Sequence, residues 1–239
     1  MNLKSYLYIL MNYSKDIDLK ELFPQKWREH IDLSILDNVT KHLNIEKDKN
    51  NNSEFYPFNQ NDIFKIFHLC NLQDIKVVIL GQDPYHSCKF QANGIAFSVN
   101  ENVTIPPSLR NIFKEANIKP SHGDLSDWVK QGVFLLNASL TVTQKTPNSH
   151  ESMWRKFITH IIDVINEKCN NIIFVSWGNF ALNRYSNLNL TKHKLLYSSH
   201  PSPLSCYKTD KPFKGSDIFN EINEILKTQN KEEIKWELI

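Results

Sequence analysis

The sequence predicts an α/β fold: a single domain built on a central four-stranded, mainly parallel, twisted sheet with helices on both faces. Three observations predict it. Apolar runs rich in β-branched residues recur at residues 75–80, 133–136, 171–176 and 193–198. Stretches of helical period alternate with them. Each run also ends at a turn carrying polar groups or glycine, at Asp83, Asn137, Gly178 and His200 in chain order. Right-handed crossovers bring such strand ends to one edge of a parallel sheet, where ligands of open α/β folds bind.

The elements follow in order. Residues 6–11 are apolar but short and lack a small-residue cleavage site, so they read as the start of a helix. Residues 1–20 are expected to be an N-terminal extension, helical or poorly ordered, ahead of a domain over 21–239. Residues 18–22 make a short helix stopped by Pro24, and 31–43 a second helix. Residues 46–53, charged and asparagine-rich, read as a solvated loop. Ile63, Phe64 and Phe67 have helical spacing ahead of the first strand. Residues 94–99 read as a short extended piece. Pro106 and Pro107 mark the start of an amphipathic helix. Ser108 then lies near free backbone N–H groups, a natural anion site.

Residues 123–130 suggest a short helix holding Trp128, before the strand that ends at Asn137. Asn148 and Glu151 resemble a capping box. It opens a helix with the apolar stripe Trp154, Phe157, Ile158, Ile161, Ile162 and Ile165. A helix through Leu182 and Tyr185 follows the third strand. Ile218, Phe219, Ile222, Ile225 and Leu226 form the last one.

Composition excludes several classes. The chain has 239 residues, 41% hydrophobic and 23% charged, which suits one globular domain. No segment approaches the roughly 20 apolar residues of a membrane span. Cys70, Cys88, Cys169 and Cys206 lack C-x-x-C and zinc-finger spacing, which points to reduced thiols in the cytoplasm. A net charge of +2 is too small to announce nucleic-acid binding, so any DNA-binding surface must be local. The phosphate-loop, dinucleotide-binding and nucleophile-elbow glycine motifs are all missing.

The best-equipped turn is Gly81-Gln82-Asp83-Pro84-Tyr85-His86, directly after the first strand. Asp83 can polarise a water, and His200 can stabilise charge on a leaving group. Asn137 offers one donor and one acceptor to an amide-like edge. Phe97 and Tyr85 can grip a planar ring. Ser108, Ser202 and Ser205 can hold phosphates. Taken singly, each has a duller role in capping, turn closure or core packing. Taken together, they describe a planar base held near phosphates and attacked by water, with no metal and no cofactor.

These residues resemble the uracil-DNA glycosylases of family 1. The resemblance rests on the Gly81–His86 turn, Gln91-Ala92-Asn93-Gly94, Phe97-Ser98-Val99, Pro106-Pro107-Ser108-Leu109 and Gly123-Asp124-Leu125-Ser126. It continues through Lys130-Gln131-Gly132-Val133, Leu136-Asn137, Ser149-His150, Trp177-Gly178 and His200-Pro201-Ser202-Pro203-Leu204-Ser205. The pieces keep the family's order over roughly residues 20–239.

The resemblance implies excision of uracil from DNA. Asp83 would activate water and His200 would be a neutral donor to uracil O2. Gln82 would contribute backbone to the pocket and Asn137 would bond N3 and O4. Phe97 would stack on the ring and Tyr85 would crowd C5. Ser108, Gly178, Ser202, Ser205 and Lys208 would grip the DNA, and Leu204 would enter the minor groove as a wedge. The implied partners are single- and double-stranded uracil-containing DNA, proteinaceous glycosylase inhibitors, and replication or repair proteins. The implied state is a monomer with no membrane association.

The chain departs from the family at Ser87-Cys88-Lys89-Phe90, which is one residue longer, and at Asn93 and Asn179. It departs again at residues 208–213, where Lys208 replaces an arginine. A catalytically inactive DNA-binding scaffold on the same fold stands as the alternative.

Overall fold

The computed structural model describes residues 16–49 and 54–238. The helix expected at residues 6–11 lies outside that range. Four strands, β2 (Val77–Gly81), β3 (Val133–Asn137), β5 (Ile173–Trp177) and β6 (Lys194–Ser198), form one sheet in the order β3-β2-β5-β6. All three pairings are parallel, with Gly81 opposite Asn137 and Trp177 opposite Ser198. Every residue of β2, β3 and β5 is buried, so both sheet faces are covered. The edge strand β6 is only partly buried. A small antiparallel pair, β1 (Phe55–Tyr56) and β4 (Val142–Thr143), was not expected from the sequence.

The helices that cover the sheet begin and end as local chemistry dictates. α1 (Leu19–Leu22) is capped by the Asp18 carboxylate, which accepts from the Lys20 and Glu21 N–H groups. α2 (Gln25–Arg28) follows Pro24. α4 (Lys65–Leu69) comes before β2, and α5 (Pro107–Glu115) starts on its proline with Ser108 in the first turn. α6 (Ser126–Lys130) precedes β3. α7 (Glu151–Lys168) buries Trp154, Phe157, Ile158, Ile161, Ile162 and Ile165 along one stripe. α8 (Asn179–Arg184) follows β5 and α9 (Ile218–Thr228) follows β6. In the core, Phe67 lies edge-on to Trp27 and Phe134 at 5.1 and 5.3 Å, joining the N-terminal helices to β3.

Four local expectations are corrected. The second helix is α3 (Ile35–Lys49), not residues 31–43. Asp32 accepts the Ser34 N–H in a local turn, which delays the helix start. The helix then runs through the start of the expected solvated loop, because Glu46 finds partners in Thr143 and His150. Residues 94–99 are not extended. Gly94 and Phe97 take φ of 78° and 64°, and the chain folds back into a bridge between Ala92 and Val99. A side chain on Gly94 would strike the Asp62 carbonyl. The short helix at residues 123–130 starts only at Ser126, whose N–H bonds the Asp124 carboxylate. Finally, Asn148 does not cap α7. Its φ is 62°, and the residue preceding the helix is His150.

Candidate active site

The carboxyl ends of the parallel strands place the expected residues along one edge of the sheet. Asp83 lies two residues past β2, and Asn137 closes β3 opposite Gly81. Gly178 follows β5 and His200 lies just past β6. Gly81 leaves room for this gathering. A Cβ there would run into Asn137 Oδ1 and come within 2.9 Å of Ala96 and 3.5 Å of the Phe97 ring. The Phe97 loop is tied to β3 by the Ala96 N–H donating to the Leu135 carbonyl at 3.0 Å. Its ring centroid sits 5.1 Å from Trp177 and 5.8 Å from His200. Gly178, with φ of 91°, brings its backbone close to His200, whose Cβ would lie 3.3 Å from a side chain at this position.

The polar atoms have defined states. Asn137 is 5% exposed and its Oδ1 has no hydrogen-bond partner. An unpaired buried acceptor is costly, and a ligand that donates to it removes the cost. The Ser202 N–H donates to His200 Nδ1 at 3.0 Å. Nδ1 must therefore be unprotonated, and the proton of the neutral ring sits on Nε2. Burial holds the His200 pKa below the ordinary histidine value. Asp83 is held by the Asn148 N–H, which donates to its Oδ2 at 2.8 Å. Burial pushes the Tyr85 phenol well above its ordinary range, so the ring stays neutral.

Asp83, Tyr85, Phe97, Asn137, Gly178 and His200 are thus set at one end of the sheet. Ser108 is tied to the same edge through its helix, where Asn111 Nδ2 donates to the Pro201 carbonyl at 2.8 Å. Ser202 and Ser205 lie on the turn after His200, whose Leu204 is 79% exposed. Lys208 is exposed beyond them, its N–H bonded to the Ser205 carbonyl. The Gln82 side chain is exposed and turned to Asn148 Oδ1. Among the described residues, no group of three or more His, Cys, Asp or Glu side chains is placed to hold a metal ion.

One component was not foreseen. The loop between β4 and α7 is a bracket for the Gly81–His86 turn. Asn148 bonds Asp83 and Gln82, and the Lys145 N–H donates to the His86 carbonyl at 3.1 Å. The far side of the loop is pinned by His150, which is 2% exposed. Its Nε2 lies 2.8 Å from Glu46 Oε2 and its Nδ1 2.7 Å from Thr141 Oγ1, which accepts from Trp154 Nε1. Burial alone would raise the Glu46 pKa, but bonds from His150 and Thr143 outweigh it and hold the carboxyl below its usual value. Ser149-His150 was part of the family pattern, but with no role attached. Glu46 carried no signal, because only the fold brings helix α3 under this loop.

The Uracil DNA glycosylase superfamily model matches residues 67–227, more than half the chain. The chain belongs to the uracil-DNA glycosylase superfamily. Its relatives agree. A uracil-DNA glycosylase of Acinetobacter baylyi is 40% identical over 228 residues, 93% of this chain and 94% of the relative. One from Buchnera aphidicola (subsp. Cinara cedri) is 45% identical over 201 residues, 81% of this chain and 86% of the relative. The crystal structure of mimivirus uracil-DNA glycosylase superposes with a TM-score of 0.84 at 30% identity, covering 93% of this chain and 90% of that one. The Y322L variant of the mimivirus enzyme, solved in complex with UGI, gives a TM-score of 0.84 at 31% identity. No described helix of this family member is long and apolar enough to cross a membrane.

Proposed function

We infer that this chain excises uracil from DNA by hydrolysing the N-glycosidic bond of a nucleotide flipped out of the helix. An abasic site is left, the first product of base excision repair. The observation that carries the reading is the unpartnered, buried Oδ1 of Asn137 beside the Phe97 ring. A uracil N3–H would satisfy it while Asn137 Nδ2 donates to O4. Cytosine has an acceptor at N3 and a donor at C4, so both contacts would fail, at about 1–3 kcal/mol per unpaired group. Phe97 supplies the stacking face, and Tyr85 crowds C5 against the thymine methyl. Gln82 contributes backbone to the pocket.

The reaction divides between two groups. As the C1′–N1 bond breaks, its electron pair goes to the base and negative charge gathers on O2. The His200 Nε2–H stabilises that charge, and the neutral ring keeps its bond from Ser202. Water bonds C1′ on the face of the sugar opposite the departing base. Asp83 takes the water's proton and stabilises the cationic sugar beforehand. The Asn148 N–H fixes Oδ2, which leaves Oδ1 for the water.

Extrusion is required because a stacked base is out of reach. Exposed Leu204 is the wedge that fills the gap, and Ser108, Gly178, Ser202, Ser205 and Lys208 hold the backbone. Binding is salt-sensitive for that reason. Residues 21–239 act as one catalytic domain, a monomer acting on single- and double-stranded DNA in the cytoplasm. A UGI-type inhibitor protein and replication or repair proteins are its further partners.

The test is release of uracil from a labelled oligonucleotide, followed by alkaline cleavage of the abasic product. Wild type gives strand breaks, and Asp83→Asn lowers kcat by roughly 10²–10⁴-fold with an unchanged circular dichroism spectrum. No breaks with the wild type would return the chain to a DNA-binding scaffold.

A further inference from the structure

A second recess adjoins the catalytic turn and takes no part in the chemistry above. It is a groove of about 450 Å³. One wall is Gln82 and Asn148, the residues on either side of the Asp83 contact. The other walls are the first turns of α7, with Glu151 and Arg155, and helix α8, with Phe180 and Arg184. Phe180 is 36% exposed, and the Arg184 guanidinium carbon lies 5.4 Å from its ring centroid. Arg155 pairs with Glu151 at 2.7 Å, and Arg184 pairs with the same carboxylate. Two guanidinium groups share one carboxylate, so the groove keeps a net positive charge. The Arg155 side chain is 60% exposed and accessible to a further anion.

We propose that this groove is a subsite for a nucleotide flanking the extruded uracil on the same strand, its base stacked on Phe180 and its phosphate held by Arg155 and Arg184. The proposal rests on the glycosylase reading of the adjoining site. Three features select a nucleotide. The aromatic face is backed by a planar cation, as in sites that hold single-stranded bases. Positive charge stands beside that face: the Arg184 guanidinium lies 5.4 Å from the ring centroid, and Arg155 shares its carboxylate partner. The remaining lining is amide and hydroxyl, able to bond a base edge without demanding one sequence, since every base has a stacking face. Continuity decides which nucleotide. Gln82 precedes Asp83 in the chain and Asn148 bonds the Asp83 carboxylate, so the groove opens beside the reacting residue and its occupant is a neighbour.

The experiment measures binding of fluorescently labelled, uracil-free thymidine oligonucleotides of increasing length to the full chain by anisotropy. In wild type, affinity rises when the strand becomes long enough to enter the groove. Phe180→Ala reduces that length-dependent gain by roughly 5- to 150-fold, and Phe180→Tyr keeps it. Arg155→Gln lowers the slope of log affinity against log salt by about 0.7, the value of one single-strand phosphate contact. Equal affinities for Phe180→Ala and wild type at every length overturn the proposal. So does a loss equal for the shortest and longest strands, which would mark a general structural defect. The readout needs no catalysis. A wild type that keeps the length gain but releases no uracil speaks against the glycosylase reading and leaves the subsite standing.

Discussion

The two ends of the central sheet are built from the same apolar strands and finished in opposite ways. At the amino ends the chain's own tail takes up many of the free polar groups, with Trp236 Nε1 left unpaired. Gln131 and Lys235 exchange side-chain and backbone bonds at 3.0 and 2.8 Å, and Asn223 and Ile234 do the same. Trp128 Nε1 donates to the Trp236 carbonyl at 2.8 Å, and Lys76 Nζ to the Glu232 carbonyl at 3.2 Å. The Trp236 ring lies 4.8 Å from Phe219 and 5.0 Å from Trp128. At the carboxyl ends the polar atoms are left waiting. Asn137 Oδ1 and His86 Nδ1 are buried without partners, and Leu204 projects from the surface. One end holds the fold closed, and the other keeps unmet bonding capacity that a substrate can satisfy.

Breaking that comparison starts with the closed end. Trp236→Ala removes a ring packed on two aromatics and should cost about 3–5 kcal/mol of stability. Denaturant unfolding reads the loss, and kcat/KM per folded molecule stays near wild type. At the open end the pattern reverses. Asn137→Ala should lower kcat/KM by roughly 5- to 150-fold, from about 1–3 kcal/mol of lost contacts to the base. The unfolding midpoint should hold or rise, because a buried unpaired acceptor is removed.

A smaller effect tests the bracket behind the open end. Glu46→Gln weakens the pin on His150 and lets the Asn148 loop drift. It should reduce kcat by roughly two- to tenfold, the worth of one hydrogen bond, while KM stays nearly constant. A change confined to stability would deny the loop its positioning role.

The smallest effect is in pH. The His200 pKa is depressed in the folded state, so the unfolded chain, with its histidine near 6.5, binds more protons just below that pH. Its contribution to stability is therefore complete above about pH 6.5 and declines as the pH falls, by at most about 1.4 kcal/mol per unit until the folded pKa is passed. The acid limb of kcat/KM should lie below pH 6.5, since protonating Nδ1 breaks the Ser202 bond. Replacing His200 by Asn should abolish that limb.

The strands, their parallel direction and the site edge were legible because buried strands must be continuously apolar and the crossovers have one hand, whereas the order of the strands in the sheet came only from the structure. Asp83, Asn137 and His200 sit within three residues of the end of such a run, so position in the pattern exposed them. The helix starts were less legible, because Asp32 and Asp124 bond the backbone locally and Asn148 is drawn to the distant Asp83, each shifting a boundary. Residues 94–99 misled as well: they read as an extended piece, but Gly94 and Phe97 take positive φ and the chain turns, with Gly94 against the Asp62 carbonyl where a side chain has no room.

The sequence by itself determined which residues could do chemistry and on which edge of the sheet they gather, since hydrophobic periodicity is a local property of the chain. Only the tertiary structure decided what holds them. The Glu46–His150 pin, the Asn148 grip on Asp83 and the Phe180 groove join segments distant in the chain. A contact between distant segments leaves no period in either one.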